Sequence, residues 1–236
     1  MEHALHKHTV KSYEDELVRL SRTIAEMGGV AESQLEWALR ALTTRDLELA
    51  KRTVANDARI DAFEESVHDD AVRLLALRQP MGVDLREIVS VFRISSNLER
   101  IGDLSKSVAR RVEVLNSMPP LPQVHALRRM GKEVIGQLKD VLDAYVDRNS
   151  DRAVAVWRKD ELVDGMYNSL FRESLTNMME DARTISACTH LLFVAKHIER
   201  IGDHCTNIAE TIHYLVRGER IADERPKGDE TETMVQ

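Results

Sequence analysis

From Ser12 to Leu42 apolar residues return every three or four positions (Leu17, Leu20, Ile24, Met27, Val30, Leu35, Ala38, Leu42). That is the period of a helix with one buried stripe. Thr43-Thr44-Arg45-Asp46 then supplies a turn and an N-cap. The same periodicity runs from Asp46 to Arg78 and from Asp84 to Ser117, with Gln79-Pro80-Met81-Gly82 between them and Pro119, Pro120 and Pro122 after the second. Proline is excluded from helix interiors, and none falls inside a periodic segment. The pattern predicts three long antiparallel helices packed as a bundle.

Beyond Pro122 the pattern starts again: a helix to about Tyr145, a turn at Asp147 to Asp151, a second helix to about Met179 and a third to about Val216. The residues repeat as well as the lengths. Asn97-Leu98-Glu99-Arg100-Ile101-Gly102-Asp103 returns as His197-Ile198-Glu199-Arg200-Ile201-Gly202-Asp203, and Asp57-Ala58-Arg59-Ile60-Asp61 as Asp160-Glu161-Leu162-Val163-Asp164. Self-similarity at a fixed offset marks a duplicated structural unit. The expected architecture is all-α, a tandem duplication of a three-helix bundle with six long helices. The repeats span 12–118 and 122–217, between a mobile N-terminus at 1–11 and a mobile acidic tail at 218–236.

Composition agrees with that fold. The 236 residues include ten Gly, five Pro and only 4% aromatics, too few turn formers and aromatics for a many-stranded β-protein. A net charge of -7 with no dense Lys/Arg block argues against a general nucleic-acid binder. No apolar run reaches the roughly 20 residues of a bilayer span, and no signal core is visible, so a soluble cytosolic protein is expected. Cys188 and Cys205 lie in apolar helical stretches, away from any CxxC spacing, and are expected as buried reduced thiols. His3, His6 and His8 are read as an adventitious feature of the N-terminus.

The duplication carries one chemical feature. Each half holds two acid pairs at i and i+4: Asp57 with Asp61 and Glu99 with Asp103, then Asp160 with Asp164 and Glu199 with Asp203. Such pairs lie on one helix face and repel, so four of them at related positions suggest a compensating cation. On the last helix the acids form a stripe roughly 120° to 140° from the apolar direction. Gly102 and Gly202 interrupt these helices at about 1 kcal/mol each relative to Ala, which a close approach of helices would justify. Four carboxylates would then surround a small space in each half. Oxygen ligands suit magnesium, manganese, iron or calcium, with zinc also open. Arg59, Arg100 and Arg200 offer the bland alternative, surface neutralisation. His190, His197 and His204 align elsewhere on the last helix and read as a polar flank.

With two three-helix repeats, a doubled Glu-Arg-Ile-Gly-Asp, and an opening helix running from Tyr13-Glu14-Asp15-Glu16-Leu17 to Glu26-Met27-Gly28, the chain resembles the PhoU family of phosphate-transport regulators. The resemblance implies a cytoplasmic, dimeric, non-enzymatic negative regulator of phosphate uptake and phosphate-starvation signalling. It would act between the ATPase subunit of the phosphate ABC transporter and the phosphate sensor histidine kinase, meeting the membrane only through those partners. It also implies iron or zinc sites on (E/D)xxxD motifs, which match Asp57, Asp61, Glu99 and Asp103, and Asp160, Asp164, Glu199 and Asp203, with Asn207 continuing the second. Ser107 and Arg110 replace Asn207 and Glu210 in the first half, so weaker metal binding is expected there.

Two other readings stay open. Glu65-x-x-His68 and Glu210-x-x-His213 have the spacing of di-iron oxidation sites in helical bundles. They do not follow the duplication, since Phe171 and Glu113 stand at the matching positions. The other is a metal-free helical scaffold whose acids are only surface.

Overall fold

The computed structural model describes the backbone of residues 2–223 and the side chains of residues 13–223. Its elements are α1 (Glu2–Thr44), α2 (Leu47–Arg78), α3 (Gly82–Asn116), α4 (Val124–Val146), α5 (Ser150–Trp157), α6 (Asp160–Glu180), a 3-10 turn (Ala182–Thr184) and α7 (Ile185–Arg217). No strand occurs among the described residues. Among them, no helix is long and apolar enough to cross a membrane.

Matching turns close the first hairpin of each repeat. Arg45 and Arg148 both adopt the left-handed region, with φ of 57° and 51°. The next residue caps the following helix: Asp46 Oδ1 accepts from the Leu49 amide, and Asn149 Oδ1 from the Arg152 amide, each at 2.9 Å. The two arginines then diverge. Arg45 Nη2 donates to the Leu115 and Met118 carbonyls at 2.9 and 2.7 Å, closing the C-terminal end of α3. Arg148 reaches instead into the first repeat, where it donates to Ser21 Oγ and pairs with Glu87.

Two helices per repeat make the joint. α1 crosses α4 and α3 crosses α7, with buried Leu35, Leu98, Leu138 and Ile198 in one continuous apolar cluster shared by both repeats. A β-carbon at Gly28 would overlap Leu142, and one at Gly131 would overlap Leu39. Gly28 and Gly131 are 103 residues apart, as are Leu39 and Leu142, so each contact is the copy of the other with the repeats exchanged, the reciprocity expected of an internal twofold. Asn97 meets His204 and Arg111 meets His190, so α3 and α7 run antiparallel.

Two expectations need correction. The first helix was expected from Ser12, but α1 begins at Glu2. At the start of the acidic tail Gly218 caps α7 and Ile221 packs against the core. Residues 224–236 of that tail lie outside the described residues. The fifth helix, expected unbroken to Met179, is divided at Arg158-Lys159. No proline lies there; the backbone tightens, the Lys159 amide bonding to the Val156 carbonyl at 2.9 Å. The Lys159 carbonyl accepts from Gln137 Nε2 at 3.2 Å, a side chain entering the helical hydrogen-bond ladder.

Candidate metal centre

In the first repeat Asp57 on α2 is buried and held from two sides. Gln34 Nε2 of α1 donates to Asp57 Oδ1 at 3.1 Å, and Lys106 of α3 pairs with Asp57 Oδ2. Lys106 Nζ also lies 3.3 Å from Asp103 Oδ1, so one ammonium bridges the two helices. Arg100 sits 3.4 Å from Glu99 and 3.6 Å from Asp103. Burial first, and then Asp57, raise the Asp61 carboxyl above its ordinary range. Glu99 is pushed up to about 7, by burial first and also by Asp103 and Glu64, against the pull of Arg100.

The second repeat keeps the acids and changes their compensation. Asp160, Asp164 and Glu199 are all buried, which removes the surface reading for this half. Thr206 stands where Lys106 would be, and its hydroxyl donates to Asp160 Oδ1 at 3.0 Å. The break before Asp160 places this carboxylate in the first turn of α6, where the helix dipole favours negative charge. Glu199 Oε1 accepts from Lys196 at 2.9 Å, while Glu199 Oε2 is buried without a hydrogen-bond partner. Its carboxyl is pushed up to about 7, by burial first and by Asp203 and Asp164, with Lys196 opposing.

Among the described residues, no group of three or more His, Cys, Asp or Glu side chains is set to hold a metal ion as it stands. The lysines account for part of this. In the first repeat the bridging Lys106 takes the position a cation would need, so that cluster does not fit a metal without its displacement. The second cluster fits better. A buried carboxylate oxygen with no donor is a costly group that a cation would satisfy.

The remaining predicted residues fall elsewhere. Asn207 Nδ2 donates to Asn97 Oδ1 at 3.4 Å across the joint between repeats. Of the histidines read as a polar flank, His190 Nδ1 lies 3.1 Å from Arg111 and His204 Nδ1 2.9 Å from Asn97 Oδ1, both across the joint between repeats, and His197 Nδ1 is buried without a hydrogen-bond partner. Burial first, then Arg111 and Arg200, keep the His197 imidazole low. The ExxH pairs are engaged by other groups. Trp157 Nε1 donates to Glu210 at 3.0 Å, Ser150 Oγ lies 2.9 Å from His213 Nδ1, and His68 stacks 5.1 Å from Phe92. Cys188 and Cys205 are free and buried.

Gln34 and Gln137 were missed. Gln34, fully buried, donates to Asp57 and to the Gly102 carbonyl at 3.1 Å each, and accepts from Asn56 at 3.2 Å. The signal was available: the two glutamines are related by the 103-residue offset that relates Asp57 to Asp160.

Both halves therefore repeat one scaffold of buried Gln, paired acids and an ExxGD helix, and the PhoU domain matches twice, over residues 24–112 and 127–212. The chain belongs to the PhoU domain family. It is 51% identical over 224 residues to a phosphate-specific transport system accessory protein PhoU homolog of Caulobacter vibrioides, covering 94% of this chain and 97% of that one. A homolog of the same description from Rhizobium meliloti is 46% identical over 230 residues, 97% of each chain. The crystal structure of PhoU from Pseudomonas aeruginosa superposes with a TM-score of 0.86 at 38% identity, covering 88% of this chain and all of that one. The phosphate transport system regulatory protein PhoU from Streptococcus pneumoniae gives 0.81 at 30% identity, covering 89% and 99%.

Proposed function

We propose that this protein is a cytoplasmic accessory protein of phosphate-specific transport that restrains phosphate uptake and starvation signalling by contact, with no reaction of its own. The observation carrying this reading is the end-to-end match to relatives described as accessory proteins of that system. Its partners are the ATPase subunit of the phosphate ABC transporter and the phosphate sensor histidine kinase, and it works as a homodimer. It reaches the membrane only through them, and nucleic acid is not a partner. Long helices offer extended faces to partner helices or domains, which suits a contact regulator.

A divalent or trivalent metal (iron, zinc, manganese or magnesium) belongs to the same proposal. Asp160, Asp164, Glu199 and Asp203 would hold it in the second repeat, with Asp57, Asp61, Glu99 and Asp103 as the weaker cluster. Bound there, it supplies positive charge between helices that carry like charges.

The test is deletion of the gene together with affinity capture from phosphate-replete and phosphate-starved cells. The expected result is a phosphate regulon left on in rich phosphate, and recovery of the transporter ATPase or the sensor kinase with the protein. Normal repression in the deletion strain, with neither partner recovered under either condition, refutes the reading.

A further inference from the structure

The internal repeat provides a control for every surface feature, because each groove can be compared with its own copy. Between α2 and α3 lies an open groove of about 440 Å³, lined by Leu47, Ala50, Lys51, Val54, Arg110 and Glu113 among others. The offsets of 103 for α2 and 100 for α3 place Ser150 and Trp157 opposite Glu210 and His213 at the matching positions. There two side-chain contacts bridge the helices, and Trp157 and Glu210 face a separate space of about 290 Å³ shared with Arg93, Tyr214 and Ile221. The Trp157 indole is buried and donates to Glu210 at 3.0 Å, and Ser150 Oγ lies 2.9 Å from His213 Nδ1.

All four bridging residues differ in the first repeat. Leu47 faces Glu113 without a hydrogen bond to it, the indole has become the Val54 isopropyl group, and the acid that received the indole has become Arg110. Arg110 is exposed and makes no ion pair among the described residues, whereas Lys51 is held by Glu48 at 2.9 Å. Relative to its copy this groove lacks an apolar body of about indole size, and its Arg110 guanidinium stands where a carboxylate would pair with it.

We infer that the α2–α3 groove of the first repeat is a docking site for a partner segment that presents a bulky apolar side chain beside a carboxylate. The apolar side chain fills the space above Val54, and the carboxylate pairs with Arg110. Glu113 at the end of the groove turns away a segment acidic throughout, which gives the site a direction. This deepens the contact-regulator reading and rests on it for the physiological role only; binding is tested on the purified chain.

The probe is a fluorescein-labelled Gly-Ser-Glu-Trp-Ser-Ser-Gly peptide, followed by anisotropy against the full-length protein. A second peptide carries Lys in place of Glu. Saturable binding of the acidic peptide is expected, at least about tenfold weaker for the Lys peptide. Val54→Trp, which copies the second repeat, and Arg110→Glu should each weaken the acidic peptide about tenfold or more. Arg110→Glu should also reverse the preference toward the Lys peptide. Circular dichroism and melting confirm that both variants fold, and Val54→Trp should melt no lower than the parent. No saturation below about 1 mM, equal binding by folded Val54→Trp, or equal binding of both peptides overturns the inference. In cells, a folded Val54→Trp protein should release phosphate repression as the deletion does. If deletion releases repression and Val54→Trp does not, the groove is refuted and the accessory reading stands.

Discussion

Lys106 of α3 is ion-paired with Asp57 of α2, whereas at the matching place in the second repeat the Thr206 hydroxyl donates to Asp160 at 3.0 Å. One repeat sets a lysine against its buried acid, where the other sets a threonine hydroxyl at a helix N-terminus. Lys106→Thr should therefore increase the metal held by the first cluster, and Thr206→Lys should reduce that held by the second. Replacing Glu199 and Asp203 with Ala should lower bound metal more than the same change at Glu99 and Asp103. Elemental analysis of protein purified without chelator measures all three, and equal losses from the two halves would count against unequal sites.

The raised carboxyl of Glu199 has a pH signature in chelator. Its folded pKa, about 7 against an ordinary 4.5, means that the folded protein retains a proton the unfolded chain gives up. Its stabilising contribution is present below about 4.5 and is lost as pH rises through about 7. Glu199→Gln, neutral throughout, should gain roughly 1–2 kcal/mol over the parent at pH 8 and little at pH 4.5. Melting curves at the two pH values decide it; a gain independent of pH would show that desolvation of the carboxylate is not the cause.

Gly102 and Gly202 occupy the same place in the repeated motif, yet Ala should act oppositely at the two. A β-carbon at Gly102 would stand 2.7 Å from Ile60 Cδ1, a fully buried side chain, while one at Gly202 would meet its nearest atoms at 3.6 Å. Gly202→Ala should stabilise by about 0.5–1 kcal/mol through helix propensity. Gly102→Ala should destabilise by roughly 1 kcal/mol, since overpacking outweighs that gain. Urea denaturation of the pair gives the sign of each.

Gln34 makes three buried hydrogen bonds across α1, α2 and α3, and its counterpart Gln137 makes one, to the Lys159 carbonyl, with its own Oε1 unpartnered. Gln34→Leu takes the partner from Asp57 Oδ1 and from the buried Asn56 amide and should cost roughly 2–4 kcal/mol. Gln137→Leu should cost about 1 kcal/mol. Similar losses at both positions, measured by denaturant melting, would contradict the asymmetry.

The helices, the duplication and the acid faces were legible along the chain because each depends on local spacing. A 3.6-residue period places Glu99 with Asp103 and Glu199 with Asp203 on one face whatever surrounds them. Proline positions end helices by the same local logic. Arg100 beside Glu99 and Asp103 was legible in the same way. What holds the buried Asp57 and Asp160 was not. Gln34 reaches Asp57 across 23 residues of sequence, Lys106 across 49, and Thr206 reaches Asp160 across 46. The break between α5 and α6 has no proline or glycine to announce it, since a carbonyl taken by Gln137 from another helix accompanies it. His190 and His204 of α7 became part of the joint between repeats for the same reason: α3 packs over them. Two copies of one motif thus came to differ in charge and room. Periodicity sets the direction of a side chain, but its electrostatic environment is set by whichever groups other helices deliver.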